Sequence, residues 1–543
     1  MKKDTTSSGS ATKGFAILSV AGIINKVLSV LYVPILMQIV GDDGYGIYSG
    51  GYQIYTFIYV LTNSGFPIAI SKLQSELIAN ENYRDARRSF KLSRLLLTAY
   101  GLVMTIITAV FARQITSLTG YDRSYLVILA LSPTMLFSAI SSAYRGYFNG
   151  NSNMKPTAMS QIVEQFLNVT LSLLFAYLLK PMGLEYACAG ATVGTTIGSL
   201  GSAIFLGRTY GKNKKELYKK TPRRVKPIAS KSLINKLLTY SIPIALNSVI
   251  IYGGNIVDLT NTKKRLTAAG LEAVSYAKYG ALNKYSTLLN VPAAITAALQ
   301  IAMIPSFSAA IAKEDYKLLK KYVSDVFRIS LLISIPCAVG LGVLSKPLFE
   351  MLFPSYIDGW YLMAIGSCVV VLIAMVQIQS GILQCFNKTN IATLSMLAGI
   401  FVKIFINYFL IAIPEINITG AVIGTIVSYI ISIIINNVYI QRNLPAKVVI
   451  KKHLGRPIIA SAAMAIGVGV SYKLVFLLLG LFAGVYISNA LAVIFSILVG
   501  IAVYGIVMLK IGGLTARDFA SIPHMNKIKR FIPNRILAMA KTE

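Results

Sequence analysis

The sequence predicts an all-α protein that crosses a membrane many times. Hydrophobic residues make up 55% of the 543 residues and charged residues only 13%, and the mean hydropathy is +0.65. Apolar runs of about 20 residues, the length that spans a bilayer as a helix, recur along the whole chain. The basic residues, which give a formal net charge of +32, cluster between these runs. That placement indicates membrane topology rather than a nucleic-acid surface.

Fourteen apolar segments follow one another along the chain, and we predict a transmembrane helix in each. Their approximate limits are 14–40, 46–78, 90–112, 124–148, 156–179, 184–208, 234–260, 278–312, 323–345, 358–386, 389–413, 418–441, 457–479 and 483–510. An even number of spans places both termini on one side of the membrane. Most of the 52 Lys and Arg residues lie in tails and loops of that side, which the positive-inside rule identifies as cytoplasmic.

Two internal sequence similarities indicate a repeated lobe of six helices. Gly190–Gly198 (GATVGTTIG) resembles Gly420–Ser428 (GAVIGTIVS), and Phe166–Phe175 resembles Phe401–Leu410. The offsets are close to the spacing of the first and seventh helices, so the lobes would run in the same direction about a pseudo-two-fold axis, with a cavity between them. Shared helix composition is the alternative explanation. The predicted organisation is a cytoplasmic tail (1–13), an N-lobe (14–208), a basic linker (209–233), a C-lobe (234–442), two further helices (457–510) and a basic cytoplasmic tail (511–543).

One predicted outer loop departs from the charge rule. Asn261–Ala277 carries Lys263, Lys264 and Arg265. Three explanations are open: the seventh helix ends elsewhere, the bases contact phosphate or polar head groups, or the loop is simply solvated.

Polar side chains inside the predicted spans are the candidate functional residues. An ionised side chain at the centre of a spanning helix costs roughly 2.5–3.5 kcal/mol, so it usually faces a cavity or a partner. The set is Asn25, Lys26, Glu164, Asn168, Asn255, Asp258, Asn283, Lys284, Lys403 and Asn407. Lys26 and Lys284 would present ammonium groups to an anion in the central cavity, with Asp258 as a counter-charge. The alternative for each residue is a structural ion pair or a side chain that reaches the interface.

Enzyme signatures are absent from the sequence. There is no GxxxxGK[ST] phosphate loop, and His453 and His524 have no partners at metal-ligand spacing. The acidic pair Asp42 and Asp43 alone is a weak signal for a metal-dependent glycosyltransferase. We therefore predict a protein that is not an enzyme and needs no cofactor.

The stretch RGYFNGNSNMKPTAMSQIVEQ, at Arg145–Gln165, resembles the fourth-to-fifth-helix signature of one family. This family is the polysaccharide biosynthesis and stage V sporulation protein B group, close to the MurJ-type lipid II flippases of the multidrug/oligosaccharidyl-lipid/polysaccharide exporter superfamily. The resemblance extends through IPSFSA at Ile304–Ala309 and through the tenth to twelfth helices. It implies two six-helix lobes in a V, with helices 13 and 14 forming a groove for a polyprenyl tail.

The same resemblance implies a function. The protein would move lipid II, the undecaprenyl-diphosphate-linked peptidoglycan precursor, from the inner to the outer leaflet of the bacterial plasma membrane by alternating access. Membrane potential or an H⁺ or Na⁺ gradient would drive transport, not ATP. Expected partners are the lipid-linked glycan and membrane lipids, with cell-wall synthesis proteins as candidates and no nucleic acid, and we expect a monomer. Alternatives are a flippase for another polyprenyl-linked glycan, a sporulation-specific paralogue, a cation-coupled multidrug exporter and a scaffold for wall-synthesis enzymes.

The resemblance also assigns roles to residues. Related chains use arginines that face the cavity, and this chain has Lys26, Tyr59 and Lys284 in the corresponding regions. Lysine lacks the bidentate fork of arginine, so the contact with a diphosphate would differ in geometry. The predicted substrate contacts are Lys26, Asn25, Lys284, Asn283 and Tyr59. The predicted coupling or cavity-tuning residues are Asp258, Glu164, Asn255 and Lys403.

Overall fold

All regular secondary structure is helical in the computed structural model, which describes residues 4–219, 227–444 and 453–513; these ranges contain no β-strand. The first helices are α1 (Asp4–Asn63), α2 (Phe66–Ala79), α3 (Tyr83–Val110), α4 (Ala112–Thr119), α5 (Tyr125–Leu131), α6 (Thr134–Gly150), α7 (Lys155–Leu179) and α8 (Leu184–Lys219). The next are α9 (Ser230–Ala268), α10 (Ser275–Ala312), α11 (Tyr316–Val343), α12 (Ser345–Leu352), α13 (Trp360–Gly366), α14 (Val369–Cys385), α15 (Thr389–Leu410), α16 (Thr419–Asn443), α17 (Gly455–Gly480) and α18 (Val485–Lys510). Two short 3₁₀ turns lie at Asp122–Ser124 and Lys180–Met182.

The predicted all-helical membrane fold is confirmed. Within the described ranges, nine helices are long and apolar enough to cross a membrane, or up to eleven if each of two bent pairs counts as one span. The bent pairs are Asp122–Leu131 with α6, at 42°, and α13 with α14, at 50°. The number fourteen stays a prediction, partly because Ile24–Ala79 counts as one candidate of 56 residues where the sequence predicts two spans.

A glycine interrupts the long first helix. At about 1.5 Å per residue, the 60 residues of α1 would extend roughly 90 Å if unbroken, which is three times the hydrocarbon thickness of a bilayer. Gly41 has φ 73° and ψ −176°, a conformation open to glycine and strained for other residues, and it divides α1 into two stretches. Gly65, with φ 81°, then separates α1 from α2. The sequence predicted a loop between the first two spans; the structure has this single-residue break instead.

Several predicted boundaries were wrong. The helix α1 starts at Asp4, inside the predicted tail 1–13, and α8 continues to Lys219, well past 208. Because α9 ends only at Ala268, the predicted outer loop begins about two turns later than expected, and its three bases lie on a helix. Residues 220–226 of the linker, 445–452 of the loop before α17 and 514–543 of the basic tail lie outside the described ranges.

The chain divides into two compact units. One comprises Met1–Lys284 with Asn407–Ile418, and the other comprises Tyr285–Ile406 with Thr419–Glu543. This division falls inside α10 because α9 packs along α1, α2 and α3. The lobe limits that the sequence places at 208 and 234 stay a prediction.

Each unit has its own apolar core. In the first, α2, α3 and α6 enclose Phe90 and Phe148, and in the second, α10, α11 and α14 enclose Phe327 and Ile382. Burial of such side chains contributes roughly 1.5–3 kcal/mol each.

The last two helices pack against α11 and α12 within the second unit. The Tyr504 hydroxyl donates to the carbonyl of Leu332 at 2.9 Å, and Asn489 Nδ2 donates to the carbonyl of Pro347 at 3.1 Å. On their other sides α17 and α18 expose large apolar residues, among them Leu477 of α17 and Ile501 of α18. These faces suit contact with lipid chains. The groove for a polyprenyl tail stays a prediction.

The two halves of the chain share their turn geometry. The α2–α3 turn holds Glu81 at φ 55°, and the α10–α11 turn holds Glu314 at φ 54°. In both, the next residue caps the following helix: Asn82 accepts from the amide of Asp85 at 3.1 Å and Asp315 from that of Leu318 at 2.9 Å. Likewise, Ser152 (φ 57°) follows α6 and Asn387 (φ 56°) follows α14.

Helix lengths repeat as well. The helices α3 and α11 have 28 residues each, α4 and α12 have 8, α5 and α13 have 7, and α6 and α14 have 17. Such matches in length and turn conformation are not expected from shared apolar composition alone. They support an internal repeat that runs in the same chain direction twice.

Candidate functional site

Lys284 is completely buried and ion-paired. Its side chain has no exposed area, and Nζ lies 2.8 Å from Oδ1 of Asp42. An isolated buried ammonium would be costly, so this lysine needs such a partner. The sequence predicted that Lys284 contacts substrate; in this structure it joins α10 to the residue that follows the Gly41 break in α1.

Close backbone contact brings these two residues together. Where α1 and α10 meet, an added Cβ on Gly46 would overlap the carbonyl of Tyr276, and one on Gly280 would lie 3.1 Å from the carbonyl oxygen of Asp42. Buried Tyr121 packs edge-on against Tyr276, with the ring centroids 5.4 Å apart. Side chains larger than hydrogen at either glycine would push α10 away from α1. We call this contact the Gly46–Gly280 crossing.

Two of the three bases of the predicted outer loop are held by the same region of the first unit. Lys263 is buried, donates to the hydroxyl of Ser275, and lies 4.0 Å from the ring centroid of Tyr276. Burial lowers the pKa of the Lys263 ammonium. Arg265 stacks over Tyr408, with its guanidinium carbon 4.0 Å from the ring centroid. Lys264 alone of the three is exposed, so the interpretation of a solvated loop was wrong for Lys263 and Arg265.

Glu164 forms a second ion pair inside the first unit. Nη2 of Arg145, on α6, lies 2.5 Å from Oε2 of Glu164, on α7. The same guanidinium donates to Ser160 at 3.2 Å and to Ser202, on α8, at 3.0 Å. The Glu164 side chain is 28% exposed and that of Arg145 15%. The negative charge of Glu164 is therefore compensated by the positive charge of Arg145.

A row of tyrosines follows one face of α1 after the Gly41 break. Its members are Tyr45, Tyr48, Tyr52, Tyr55 and Tyr59, which we call the tyrosine ladder. Alternating steps of three and four residues keep side chains on one helix face. Successive ring centroids are 6.0, 5.6, 5.4 and 5.8 Å apart, so the rings form a continuous column. Tyr59, a predicted substrate contact, is its last member.

The tyrosine ladder faces polar groups of α6, α7 and α8. The Tyr52 hydroxyl lies near Thr195, and that of Tyr55 lies near Ser138. Thr195 in turn donates to Oδ1 of Asn168 at 3.0 Å, and Ser172 donates to the same oxygen at 3.0 Å. Helices long enough to span a membrane thus enclose these polar side chains of α6, α7 and α8 within the first unit. We call this strip of side chains the polar seam.

The first-helix candidates differ in exposure. Lys26 is exposed on α1, whereas Asn25 beside it is half-buried. The Asn25 side-chain oxygen is buried and accepts no hydrogen bond, and its backbone carbonyl accepts from Ser29 at 2.9 Å. Ser29 also accepts a bond from Gln165, at 3.2 Å, which ties α1 to α7.

Asp258 accepts a hydrogen bond from Nδ2 of Asn407. Asn407 is fully buried, and its Oδ1 has no hydrogen-bond partner. Asn255, one turn before Asp258 on α9, is exposed. The Asp258 carboxylate and the Asn407 amide oxygen are hard oxygen donors of the kind that bind cations, and the carboxylate can also take up a proton.

The remaining candidates lie apart from these pairs. Asn283 is half-buried on α10 and lies near the hydroxyl of Tyr279. Lys403 is half-buried on α15 in the second unit, close enough to Tyr429 for the two to interact electrostatically. Substrate contact at either residue stays a prediction.

The sequence did not predict that Asp42, Arg145 and the tyrosines of the ladder other than Tyr59 lie inside the protein. The three-four spacing of the tyrosines was the available signal for the ladder. Arg145 stands at the end of an apolar segment, where the pattern favours a base that reaches the cytoplasmic surface. Only the packing of α6 on α7 and α8 shows that it turns toward Glu164.

Comparison with known proteins gives the family. The model of the family described as "Polysaccharide biosynthesis protein" matches residues 11–311, more than half of the chain. The lipid II flippase MurJ of Bacillus subtilis (strain 168) is 27% identical over 521 residues, 91% of this chain and 94% of that protein. The stage V sporulation protein B of the same strain is 26% identical over 452 residues, 81% of this chain and 85% of that protein.

A solved structure of the lipid II flippase MurJ, in an inward closed conformation, has the same fold. It aligns with a TM-score of 0.65 at 15% identity and covers 91% of this chain and 98% of its own. The chain is thus a multi-pass protein of a bacterial membrane, and it belongs to the polysaccharide biosynthesis protein family.

Proposed function

We propose that this member of the polysaccharide biosynthesis protein family is a flippase that moves a polyprenyl-diphosphate-linked glycan from the inner to the outer leaflet, and that the glycan lipid is lipid II. The observation that carries the proposal is the polar interior of the first unit, where membrane-length helices enclose two ion pairs and the tyrosine ladder. The likeness to the MurJ flippase over 91% of the chain supports the same conclusion.

The physical need for such an interior is clear. A diphosphate and its sugars cannot cross hydrocarbon unaided, because each charge and hydroxyl would lose its hydration without replacement. Cationic side chains replace part of that hydration through charge-assisted hydrogen bonds. Lys26 is exposed and can meet the diphosphate directly, whereas Lys284 first has to leave Asp42. We propose that the diphosphate competes with the Asp42 carboxylate for Lys284 during transport.

Asp258 and Asn407 are the proposed coupling groups. Their oxygens can hold a proton or a sodium ion, and an ion gradient or the membrane potential would then drive transport without ATP. Glu164 tunes the interior through its pair with Arg145 rather than as a free charge. We assign Asn255 and Lys403 secondary roles, because neither belongs to these two pairs.

We propose a monomer in the plasma membrane with both termini in the cytoplasm. Its partners are the lipid-linked glycan, the surrounding lipids and, as candidates, cell-wall synthesis proteins. Cysteines introduced at Lys264 and in the first ten residues test the orientation. A membrane-impermeant maleimide added to intact cells should label the former and not the latter.

The decisive measurement is the appearance of lipid II in the far leaflet. Proteoliposomes that contain the purified full-length protein should expose lipid II to an impermeant modifying enzyme faster than protein-free liposomes. If lipid II is not moved but another polyprenyl-linked glycan is, the alternative substrate holds. Extrusion of a cationic dye with neither lipid moved would identify a drug exporter, and no transport of any kind would favour a scaffold.

Lys26 provides a residue-level test. Lys26→Ala should reduce lipid transport with little loss of folded protein, because the side chain is exposed. Lys473→Ala, at an exposed lysine on α17, is the matched control and should leave transport unchanged. Full complementation of a flippase-depleted strain by Lys26→Ala would remove Lys26 from the substrate site.

A further inference from the structure

The tyrosine ladder extends farther than the single position Tyr59 for which a substrate role was expected. From Tyr45 to Tyr59 it rises over about 21 Å, at roughly 1.5 Å per residue. Five adjacent aromatic rings on one polar helix face exceed what packing between helices requires. Leucine or alanine would pack there without hydroxyl groups that need partners.

The rings are held in place yet partly reachable. Tyr45 and Tyr55 are buried, with 3% and 5% of their area exposed, and anchor the column. Tyr48, Tyr52 and Tyr59 are only half-buried, so part of each residue remains accessible. The column thus combines a rigid support with an accessible surface.

The ionised side chains shown next to the end of the ladder form a neutral pair. Arg145 and Glu164 lie beside Tyr59 and compensate each other. The other polar groups along the seam are neutral amides and hydroxyls, such as Asn168, Gln165 and Thr195. A phosphate or a free cation gains little from such a surface, whereas a neutral ligand with many hydroxyl groups gains both donors and acceptors.

Sugar rings have this chemistry. Their C–H faces are apolar and lie well against aromatic rings, while their hydroxyls hydrogen-bond at the rim, which matches the apolar body and polar tip of tyrosine. Arginine and carboxylate side chains also bind pairs of hydroxyls with two bonds each. We propose that the tyrosine ladder binds the sugar rings of the transported lipid, separately from the lysines that meet its diphosphate. This inference rests on the proposed function and names a subsite within it.

A comparison of two lipids tests the subsite. Proteoliposomes would receive undecaprenyl diphosphate that bears a disaccharide or undecaprenyl diphosphate without sugar. The double variant Tyr48→Leu/Tyr52→Leu should slow the sugar-bearing lipid by about tenfold and change the bare lipid by less than about twofold. Tyr177→Leu, at a tyrosine of α7 that is 68% exposed, is the matched control and should affect neither lipid. Equal loss for both lipids, or no loss for the sugar-bearing one, would overturn the inference.

A binding measurement separates this inference from the proposed function. The free disaccharide, at millimolar concentration, should raise the Tm of the detergent-solubilised wild-type protein and not that of Tyr48→Leu/Tyr52→Leu. Tyr52→Phe keeps the ring and should retain part of the shift. If wild type moves neither lipid but shows this shift, the flippase proposal fails and the sugar subsite stands. Absence of a shift in wild type would overturn the subsite even if transport is observed.

Discussion

The α7–α8 pair and the α15–α16 pair occupy equivalent places in the repeat but use their glycines differently. Gly198 is one of three glycines by which α8 approaches α7, and a Cβ added there would lie 2.6 Å from the carbonyl oxygen of Glu164. In α15–α16 the glycine is Gly399 of α15, where an added Cβ would lie 2.6 Å from the carbonyl oxygen of Ser428. Glu164 follows the left-handed Ser152 by twelve residues, and Gly399 follows Asn387 by twelve. The same close crossing is thus made with the glycine on the opposite helix.

The position of the glycine decides which of the two crossing helices can carry a charged side chain. With the small residue on α8, α7 is free to carry Glu164 at the crossing, and Arg145 lies seven residues before Ser152 to meet it. In the second copy the corresponding residues are Gly399 and Ser380, and neither carries charge. The backbone of the repeat is therefore kept while the ion pair belongs to one copy alone.

The largest expected effect comes from breaking that ion pair on one side. Arg145→Ala leaves the Glu164 carboxylate without its partner and should destabilise the protein by about 3–5 kcal/mol. The double change Arg145→Ser/Glu164→Gly reproduces the second copy and should cost less than Arg145→Ala alone. Thermal unfolding in detergent measures both. If the double variant is the less stable of the two, the pair does not compensate charge as described.

A smaller effect is expected at Asn407, which follows Asn387 by twenty residues as Ser172 follows Ser152. Asn407→Ser reproduces the first copy and removes the bond to Asp258. A hydrogen bond to a charged group contributes about 1.5–3 kcal/mol, so unfolding should become easier by that amount. Dependence of transport on Na⁺ or on pH should weaken as well. Unchanged ion dependence would separate this bond from coupling.

The two glycines offer a symmetrical test. Gly198→Leu and Gly399→Leu should each destabilise the protein by about 1–3 kcal/mol, because either side chain forces the crossing helices apart. Gly22→Leu and Gly469→Leu are the controls, since no atom lies within 4 Å of a Cβ added at either position. Unfolding midpoints compare the four variants. Equal stability of the control and crossing variants would contradict the close approach in both pairs.

The smallest effect concerns the two left-handed turn residues. Asparagine tolerates positive φ better than serine, so Ser152→Asn should stabilise the fold by about 0.5 kcal/mol and Asn387→Ser should destabilise it by a similar amount. The difference between the two Tm shifts is the informative quantity. Shifts of the same sign would mean that side-chain contacts outweigh the backbone preference at one of the turns.

Much of the architecture follows from the sequence, because apolar runs of membrane length are local signals. The similarity between the two halves of the chain was also visible in the sequence. The partner of each interior charge could not be predicted from the sequence, because a lysine within an apolar helix can face a head group, a ligand or a carboxylate. Lys284 illustrates this, because its partner, Asp42, is distant in sequence and meets it only through the Gly46–Gly280 crossing. The aromatic face of α1 was not predicted, because the same spacing is also typical of packing between helices.

The break at Gly41 makes the two members of the Asp42–Lys284 pair unequal. Asp42 is the first residue after the break, where a new helical stretch begins, and the partial positive charge of a helix start favours a carboxylate there by about 0.3–1 kcal/mol. Lys284 lies within α10 and its side chain has no exposed area, whereas the side chain of Asp42 is 22% exposed. Asp42 can therefore release its partner at a lower electrostatic cost than Lys284 can lose one. An anion that approaches this end of the first unit can therefore displace the Asp42 carboxylate and take its place as the partner of the Lys284 ammonium.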